Sequence, residues 1–252
     1  MPIQIIVNAD DLGLSAEVNE AIFRAMEDGV ITSATMLSNA SAVLPAARIL
    51  HRFPNCSFGV HLNLTEFQPM GAESPTTLSS ILDDHHCFNG NAIREVRISA
   101  AMLRAIYREW CAQIDSLIQL GVQPSHFDAH HHVHTIPQML PVLAALRHRY
   151  KINKARISRN LYDPAAPASK ALLTKKWLYN QALRSIGFKT TRIFTDLDVF
   201  IKACAARPPA EAIIELMTHP GSVLPSEEPS LLASDWTKRL SYEIALMSYK
   251  AL

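Results

Sequence analysis

Five of the chain's eleven histidines lie within residues 125–134, together with Asp128. Neutral imidazole is the commonest protein ligand of borderline divalent metals, and a nearby carboxylate typically orients the ring or joins it on the metal. The cluster is internal and follows a predicted helix, a glycine and a short strand, so it does not resemble a terminal histidine tag. It predicts a metal site without saying which histidines hold the ion.

Other residues able to do chemistry stand where predicted strands end. Asp10 and Asp11 directly follow the apolar run 4–8, and two adjacent acids beside a core are costly unless something uses them. His61 lies on a predicted strand, Arg156 on another, and His219 follows the apolar run 212–217. Their shared position at strand ends indicates one common site. Taken alone, however, a strand histidine such as His61 is more often a hydrogen-bonded core residue than a ligand.

The remaining pattern predicts the elements that position these residues. Apolar strand-like runs alternate with amphipathic helical stretches, which favours an α/β protein with a parallel sheet, either open and doubly wound or closed into a barrel. In a barrel the active site lies at the carboxyl ends of the strands. No glycine-rich phosphate fingerprint follows the first strand, and this disfavours a dinucleotide-binding fold. We expect one domain over residues 1–252, with its last helix at residues 235–252 and a cleft wall formed by the long connection 68–91.

Bulk properties narrow the function classes. The chain is 48% hydrophobic and 19% charged with a net charge of +1, which gives no reason to expect a nucleic-acid partner or an anionic membrane surface. Its four cysteines are far apart in the sequence and form no metal-binding pair. The N-terminus lacks the pattern of a signal peptide and no stretch is long enough to cross a membrane, so a cytoplasmic protein is expected.

With these residues in place, the sequence resembles the YdjC-like carbohydrate deacetylase family, which includes chito-oligosaccharide deacetylases. The matching segments are Val7–Gly13, Gly59–Leu62, His126–His134 and His219–Gly221, and they agree in order and spacing along nearly the whole chain. The resemblance implies a distorted (β/α) TIM-like barrel of the polysaccharide deacetylase type. The chain stops earlier than family members commonly do, which would leave the barrel incomplete on one side or completed by a second copy in a homodimer.

The same resemblance implies residue roles. It makes Asp11, His61 and His130 the ligands of one divalent metal ion, Asp10 the general base, His219 the general acid and Arg156 the partner of the base. Zinc or magnesium is expected, with manganese, cobalt or nickel as further candidates. The implied substrate is an N-acetylated amino sugar, whose length and carrier stay open.

Alternatives remain at this point. His132 and His134 could chelate a metal by themselves if their segment were a strand. Asp128 and Arg156 could form a purely structural ion pair, or Asp128 could orient an imidazole. The chain could also be another barrel metal hydrolase, acting on phosphoesters or cyclic amides, or a sugar-binding module without catalysis.

Overall fold

A computed structural model describes residues 2–71, 75–90, 92–210, 213–222 and 228–252. Within these ranges the strands form one parallel sheet, in the order β4-β3-β2-β1-β6-β5, with β7 also paired to β1. The strands are β1 (Ile3–Leu12), β2 (Ser33–Met36), β3 (Ser57–Leu62), β4 (Phe127–Ala129), β5 (Ile193–Asp196), β6 (Ile213–Thr218) and β7 (Ile244–Leu246).

The first strand is the centre of the sheet. Ile5, Ile6 and Val7 are completely buried, as expected for a strand covered on both faces. Strand β6 runs along one side of β1, pairing Asn8 with Met217. On the other side, β7 pairs with the first half of β1 and β2 with the second half. The register against β2 shifts between Ala9 and Leu12, which is where the two acidic residues lie.

Among the described residues, the sheet curls into a half-barrel whose outer strands, β4 and β5, are connected through the irregular segment 154–160. Ala155 forms an isolated bridge to Phe127, and Lys154 forms another to Lys189. Farther along, the Asn160 N–H donates to the Phe194 carbonyl at 3.3 Å. The predicted strand around Arg156 is therefore a pair of bridges rather than a ladder. The predicted α/β fold with a distorted, incomplete barrel is confirmed.

The helices follow the strands in the predicted alternation. Ser15 caps the first helix and Ser99 the fifth, each hydroxyl accepting a backbone N–H three residues ahead. In the described residues they are α1 (Ala16–Glu27), α2 (Val43–Ile49), α3 (Pro75–Leu78), α4 (Ala92–Glu95), α5 (Ala100–Gln119), α6 (Leu140–Tyr150), α7 (Lys170–Ser185), α8 (Leu197–Cys204) and α9 (Glu228–Leu232). In the same residues no helix combines the length and apolar character that crossing a bilayer requires.

The prediction of a final helix over residues 235–252 is wrong. This segment forms a 3₁₀ turn at Trp236–Arg239, then β7, then a second 3₁₀ turn at Tyr249–Ala251. Its apolar residues 244–246 pair with β1, and this long-range pairing overrides the local helical pattern.

The C-terminal turn lies against the amino ends of the strands. The Tyr249 N–H donates to Ser57 Oγ at 3.0 Å, and the Tyr249 carbonyl accepts from Lys154 Nζ at 2.5 Å. The Tyr249 ring stacks on His126 with centroids 3.6 Å apart. The Tyr249 hydroxyl then reaches the interior and donates to Glu215 Oε2 at 2.5 Å. The last residues of the chain are thus connected to the barrel interior.

Candidate metal centre

Three side chains predicted as ligands converge at the carboxyl end of the sheet. Asp11 Oδ1 lies 2.9 Å from His130 Nδ1 and 3.2 Å from His61 Nε2. One ligand atom from each residue falls within 4.8 Å of the others. Each comes from a different place: Asp11 from the irregular part of β1, His61 from β3, and His130 from the residue after β4.

Local backbone geometry turns Asp11 toward this point. Its φ is 66°, a left-handed conformation that is uncommon for any residue with a side chain. The Leu14 N–H donates to the Asp11 carbonyl at 3.0 Å and so holds the turn. A strained residue at the convergence of three ligand-type side chains is typical of a functional site.

Contacts on the opposite side of its ring fix the orientation of His61. Its Nδ1 lies 2.7 Å from Asp128 Oδ1 and 3.1 Å from Thr35 Oγ1, and the Thr35 hydroxyl donates to Asp128 Oδ2 at 2.9 Å. In the neutral ring, a carboxylate that accepts from the Nδ1–H leaves Nε2 with a lone pair directed at Asp11. Asp128 therefore orients an imidazole, as one sequence-based alternative proposed.

The electrostatics of the site favour a cation. Burial opposes charging of the His61 ring, yet the carboxylates of Asp128, Asp11 and Asp10 together raise its pKa to about 10. The pKa of His130 is also raised: burial opposes this, and Asp11 and Glu66 outweigh it. Without a metal, protons on these rings supply the positive charge that the carboxylates require.

The donor set passes a direct test of fit to a divalent metal. Asp11 Oδ1 is buried, and although it is close to two histidine nitrogens, it has no hydrogen bond of normal geometry among the described residues. A buried carboxylate oxygen that lies close to two imidazole nitrogens without such a hydrogen bond to either is in a position to share a metal ion with them. One carboxylate and two imidazoles suit zinc well and leave coordination positions open.

Asp10, next in sequence to Asp11, has a different environment. Arg156 donates to both its carboxylate oxygens, each at 2.6 Å, and the Asn8 amide donates to Oδ1 at 2.9 Å. Burial alone would raise the pKa of Asp10, but the Arg156 guanidinium lowers it well below its usual range. Asp10 is therefore held ionised and in one orientation.

The guanidinium of Arg156 is shared among three buried acids. Besides Asp10 it lies 2.8 Å from Asp128 Oδ2, and its Nε donates to Glu215 Oε1 at 2.8 Å. All of these side chains are 2% exposed or less. Arg156 and Asp128 therefore form a buried ion pair in which Arg156 also holds the predicted base Asp10 and Asp128 also orients His61, so the two sequence-based alternatives hold together.

His219 lines a cleft of about 380 Å³ together with Asp10 and Asp11. Its side chain is 37% exposed, and its backbone N–H donates to Glu228 Oε1. Glu228 Oε2 lies 4.0 Å from His219 Nδ1. Burial raises the pKa of Glu228 to about 7.

The pairing of His132 with His134 on a strand is not formed. Both residues lie in a 3₁₀ segment, where His131 and His132 have φ of 49° and 56°. His134 Nε2 is 3.2 Å from the Arg156 carbonyl, and the His132 ring meets Phe194 edge-on. They are therefore absent from the groups of potential ligands in the described part of the chain.

Sequence reasoning missed Thr35, Glu215, Glu228 and Glu66. Glu215 carried a usable signal, because it is a charged residue inside the apolar strand β6 and must therefore have a buried partner. Thr35 carried none, since a threonine is ordinary in a strand. The predicted cleft wall at residues 68–91 lies partly outside the described residues, which omit 72–74 and 91.

A parallel half-barrel with ligand-type side chains at its carboxyl edge places the protein in the class of distorted, incomplete TIM-like barrels. Comparison with known sequences identifies the family. The chain belongs to the YdjC-like protein family, whose model matches residues 4–247. This family assignment confirms the resemblance inferred from the motifs.

Named relatives agree with this assignment. The chain is similar to a carbohydrate deacetylase of Geobacillus stearothermophilus, with 38% identity over 60% of this chain and 59% of the relative. It thus spans about three fifths of that relative's length. A carbohydrate deacetylase of Brevibacillus brevis is 27% identical over 97% of this chain and 91% of its own.

A solved structure supports the fold. A protein of Enterococcus faecalis V583, described as a candidate cellobiose-phosphate cleavage protein, aligns with a TM-score of 0.76 and 24% identity. The alignment covers 100% of this chain and 99% of the other.

Proposed function

We propose that this protein is a metal-dependent hydrolase that removes the acetyl group from an N-acetylated amino sugar and releases acetate. The observation that carries the proposal is the convergence of Asp11, His61 and His130 beside an ionised Asp10 that Arg156 holds in place. Relatives named as carbohydrate deacetylases support the sugar amide as substrate. A short chito-oligosaccharide or another glycan containing N-acetylglucosamine fits the proposal.

Asp11, His61 and His130 would hold the ion, with zinc or magnesium expected and manganese, cobalt or nickel as further candidates. When bound, a divalent cation supplies Lewis-acid activation of the acetamide carbonyl and of the attacking water. Asp128 keeps the His61 ring in the tautomer that presents Nε2 to the ion. The cation would also replace the ring protons that neutralise the carboxylates.

Asp10 takes a proton from the water as its oxygen attacks the carbonyl carbon. Because Arg156 donates to both carboxylate oxygens, Asp10 is a weak base, and it passes this proton on to solvent, from which His219 recovers the proton that it donates. His219, which lines the same cleft, donates a proton to the nitrogen as the C–N bond breaks. Acetate and the free amine leave, so one water is consumed for each amide cleaved.

The test is acetate release from a panel of N-acetylated sugars by protein stripped of metal and then reloaded with each candidate ion. We expect release that depends on metal, is lost in His61→Ala, and falls about 10²–10⁴-fold in kcat in Asp10→Asn. The exposed His148 on α6 provides the matched control, because His148→Ala removes an imidazole that belongs to none of the groups of potential ligands among the described residues.

Three results would contradict the proposal. Full activity in stripped protein would exclude the metal's role. Turnover of phosphoesters or cyclic amides in place of acetate release would assign another hydrolase reaction. Tight sugar binding without turnover would indicate a binding module.

A further inference from the structure

A second group of potential ligands lies on the far side of His130. Glu66 Oε1 is 3.4 Å from His130 Nε2 and 4.0 Å from His131 Nε2. These three atoms fall within 4.8 Å of one another. We name Glu66, His131 and the Nε2 side of His130 the accessory site. His130 thus has one ring nitrogen directed at Asp11 and the other at Glu66.

The hydrogen bonds around His131 leave its Nε2 with a lone pair directed at this site. Asn63 Oδ1 accepts the backbone N–H groups of Thr65 at 2.9 Å and Glu66 at 3.2 Å, so that atom must be the amide oxygen. The Thr65 hydroxyl, 3.1 Å from the same oxygen, must then donate to it. Thr65 Oγ1 is left as an acceptor for His131 Nδ1 at 3.0 Å. In the neutral ring Nδ1 therefore carries the hydrogen, and Nε2 is free to bind a cation.

This arrangement matches the support normally given to metal-binding histidines. Such a histidine usually donates its other ring N–H to a hydrogen-bond partner that fixes the ring, as His131 does to Thr65. The backbone of His131 is held at φ 49°, and Arg94 donates to its carbonyl. A strained backbone anchored on both sides positions the ring next to Glu66.

His130 provides an independent observation that points to a ligand. Its side chain is 9% exposed, and its Nε2 is buried with no hydrogen bond of normal geometry among the described residues. Glu66 Oε1 is the oxygen it faces. Ligand atoms of a tetrahedral zinc ion lie roughly 3.3–3.6 Å apart, given bonds of about 2.0–2.2 Å. The 3.4 Å separation between His130 Nε2 and Glu66 Oε1 lies within this range, and the 4.0 Å separation between His131 Nε2 and the same oxygen lies above it, so ion binding would draw His131 closer.

We infer that the accessory site binds a second divalent cation of the zinc class. Two imidazoles and a carboxylate suit zinc, cobalt and nickel well. Glu66 and His131 are 43% and 47% exposed, so the ion would keep open positions toward solvent. With both sites filled, His130 bridges two ions through its two nitrogens, and its last ring proton passes to solvent. This inference does not depend on which amide or ester the protein hydrolyses.

The test is a cobalt(II) titration of metal-free protein, followed by absorption spectroscopy and by metal analysis after dialysis. It is performed in the Cys87→Ser background, because Cys87, which lies among Asp83, His85 and His86, could bind cobalt adventitiously. We expect this parent to bind two equivalents of cobalt. Glu66→Gln should weaken the affinity for the second equivalent at least about 10-fold, so that one equivalent remains after dialysis. His131→Gln should lose the same equivalent. Asp11→Asn should lose the other one.

Glu20→Gln, which removes an exposed carboxyl on α1, is the matched control and should retain two equivalents. One equivalent in the parent protein would overturn the inference. If Glu66→Gln then bound that single equivalent more weakly, Glu66 would be a positioning partner of His130 and not a ligand of a second ion. Two equivalents that persist in both Glu66→Gln and His131→Gln would place the second ion elsewhere and also overturn it. Failure of the deacetylase proposal is distinguishable, because it would leave two-equivalent binding without acetate release.

Discussion

The interior behind Asp10 and Asp11 differs sharply from the rim in front of them. Behind them, Arg156, Asp128 and Glu215 are completely buried, and the Arg156 guanidinium contacts the carboxylates of Asp128 and Glu215. In front, Glu66, His131 and His219 are 37–47% exposed and have few or long contacts. The difference separates two tasks: buried charges that must be paired orient the candidate ligands, whereas half-exposed groups are accessible to an ion or a substrate.

The strongest way to break the buried side of this comparison is Arg156→Met. Removing the cation deprives three buried carboxylates of the guanidinium that they share, and we expect a loss of about 3–5 kcal/mol in the free energy of unfolding. Urea denaturation measures the loss. Arg159→Met is a contrasting variant, because Arg159 pairs with the partly exposed Asp196 and should cost far less. Equal losses in the two variants would contradict the proposed importance of the buried network.

A smaller effect is expected where the buried side meets the metal centre. Asp128→Asn keeps the size of the side chain but removes the charge that orients His61. We expect metal affinity to fall about 10–100-fold, with the number of bound ions unchanged. Competition with a chelating dye measures the affinity. Unchanged affinity would show that His61 is held without Asp128.

Beside the half-exposed His219 we predict a pH effect from the buried Glu228, whose pKa is raised from 4.5 to about 7 by burial. Below pH 4.5 the group is protonated in both states. Between pH 4.5 and 7 the unfolded chain releases its proton while the native protein retains it, so native stability decreases as pH rises and then levels off. A glutamine at this position has no proton to release, so the stability of Glu228→Gln should not decrease in this way.

The variant's free energy of unfolding should therefore rise relative to wild type by about 2 kcal/mol over that interval. Urea denaturation of metal-free protein at several pH values measures the difference, with Glu20→Gln as control. A difference that stays flat with pH would exclude the proposed protonation of Glu228.

The sequence predicted what depends on local pattern and strand order. Asp11, His61 and His130 follow or end recognisable strands, and parallel strands bring their carboxyl ends together, so their convergence could be anticipated. Thr35 and Tyr249 could not, because their roles arise from side-chain contacts 93 and 34 residues away along the chain. The prediction of a final helix failed for the same reason, because local periodicity carries no information about the pairing of β7 with β1.

The central position of β1 has a kinetic consequence. Ile3 pairs with Ile244 and Asn8 with Met217, so the first strand to be synthesised receives two of its neighbours only after most of the chain exists. Closing loops of this length before any stabilising contact forms makes folding slow, since folding rate falls as sequence separation between contacts grows. Until the last strands arrive, the strand that carries both acids would present unpaired backbone along one edge. A nascent chain would then need protection from association at β1, the strand on which the candidate site depends.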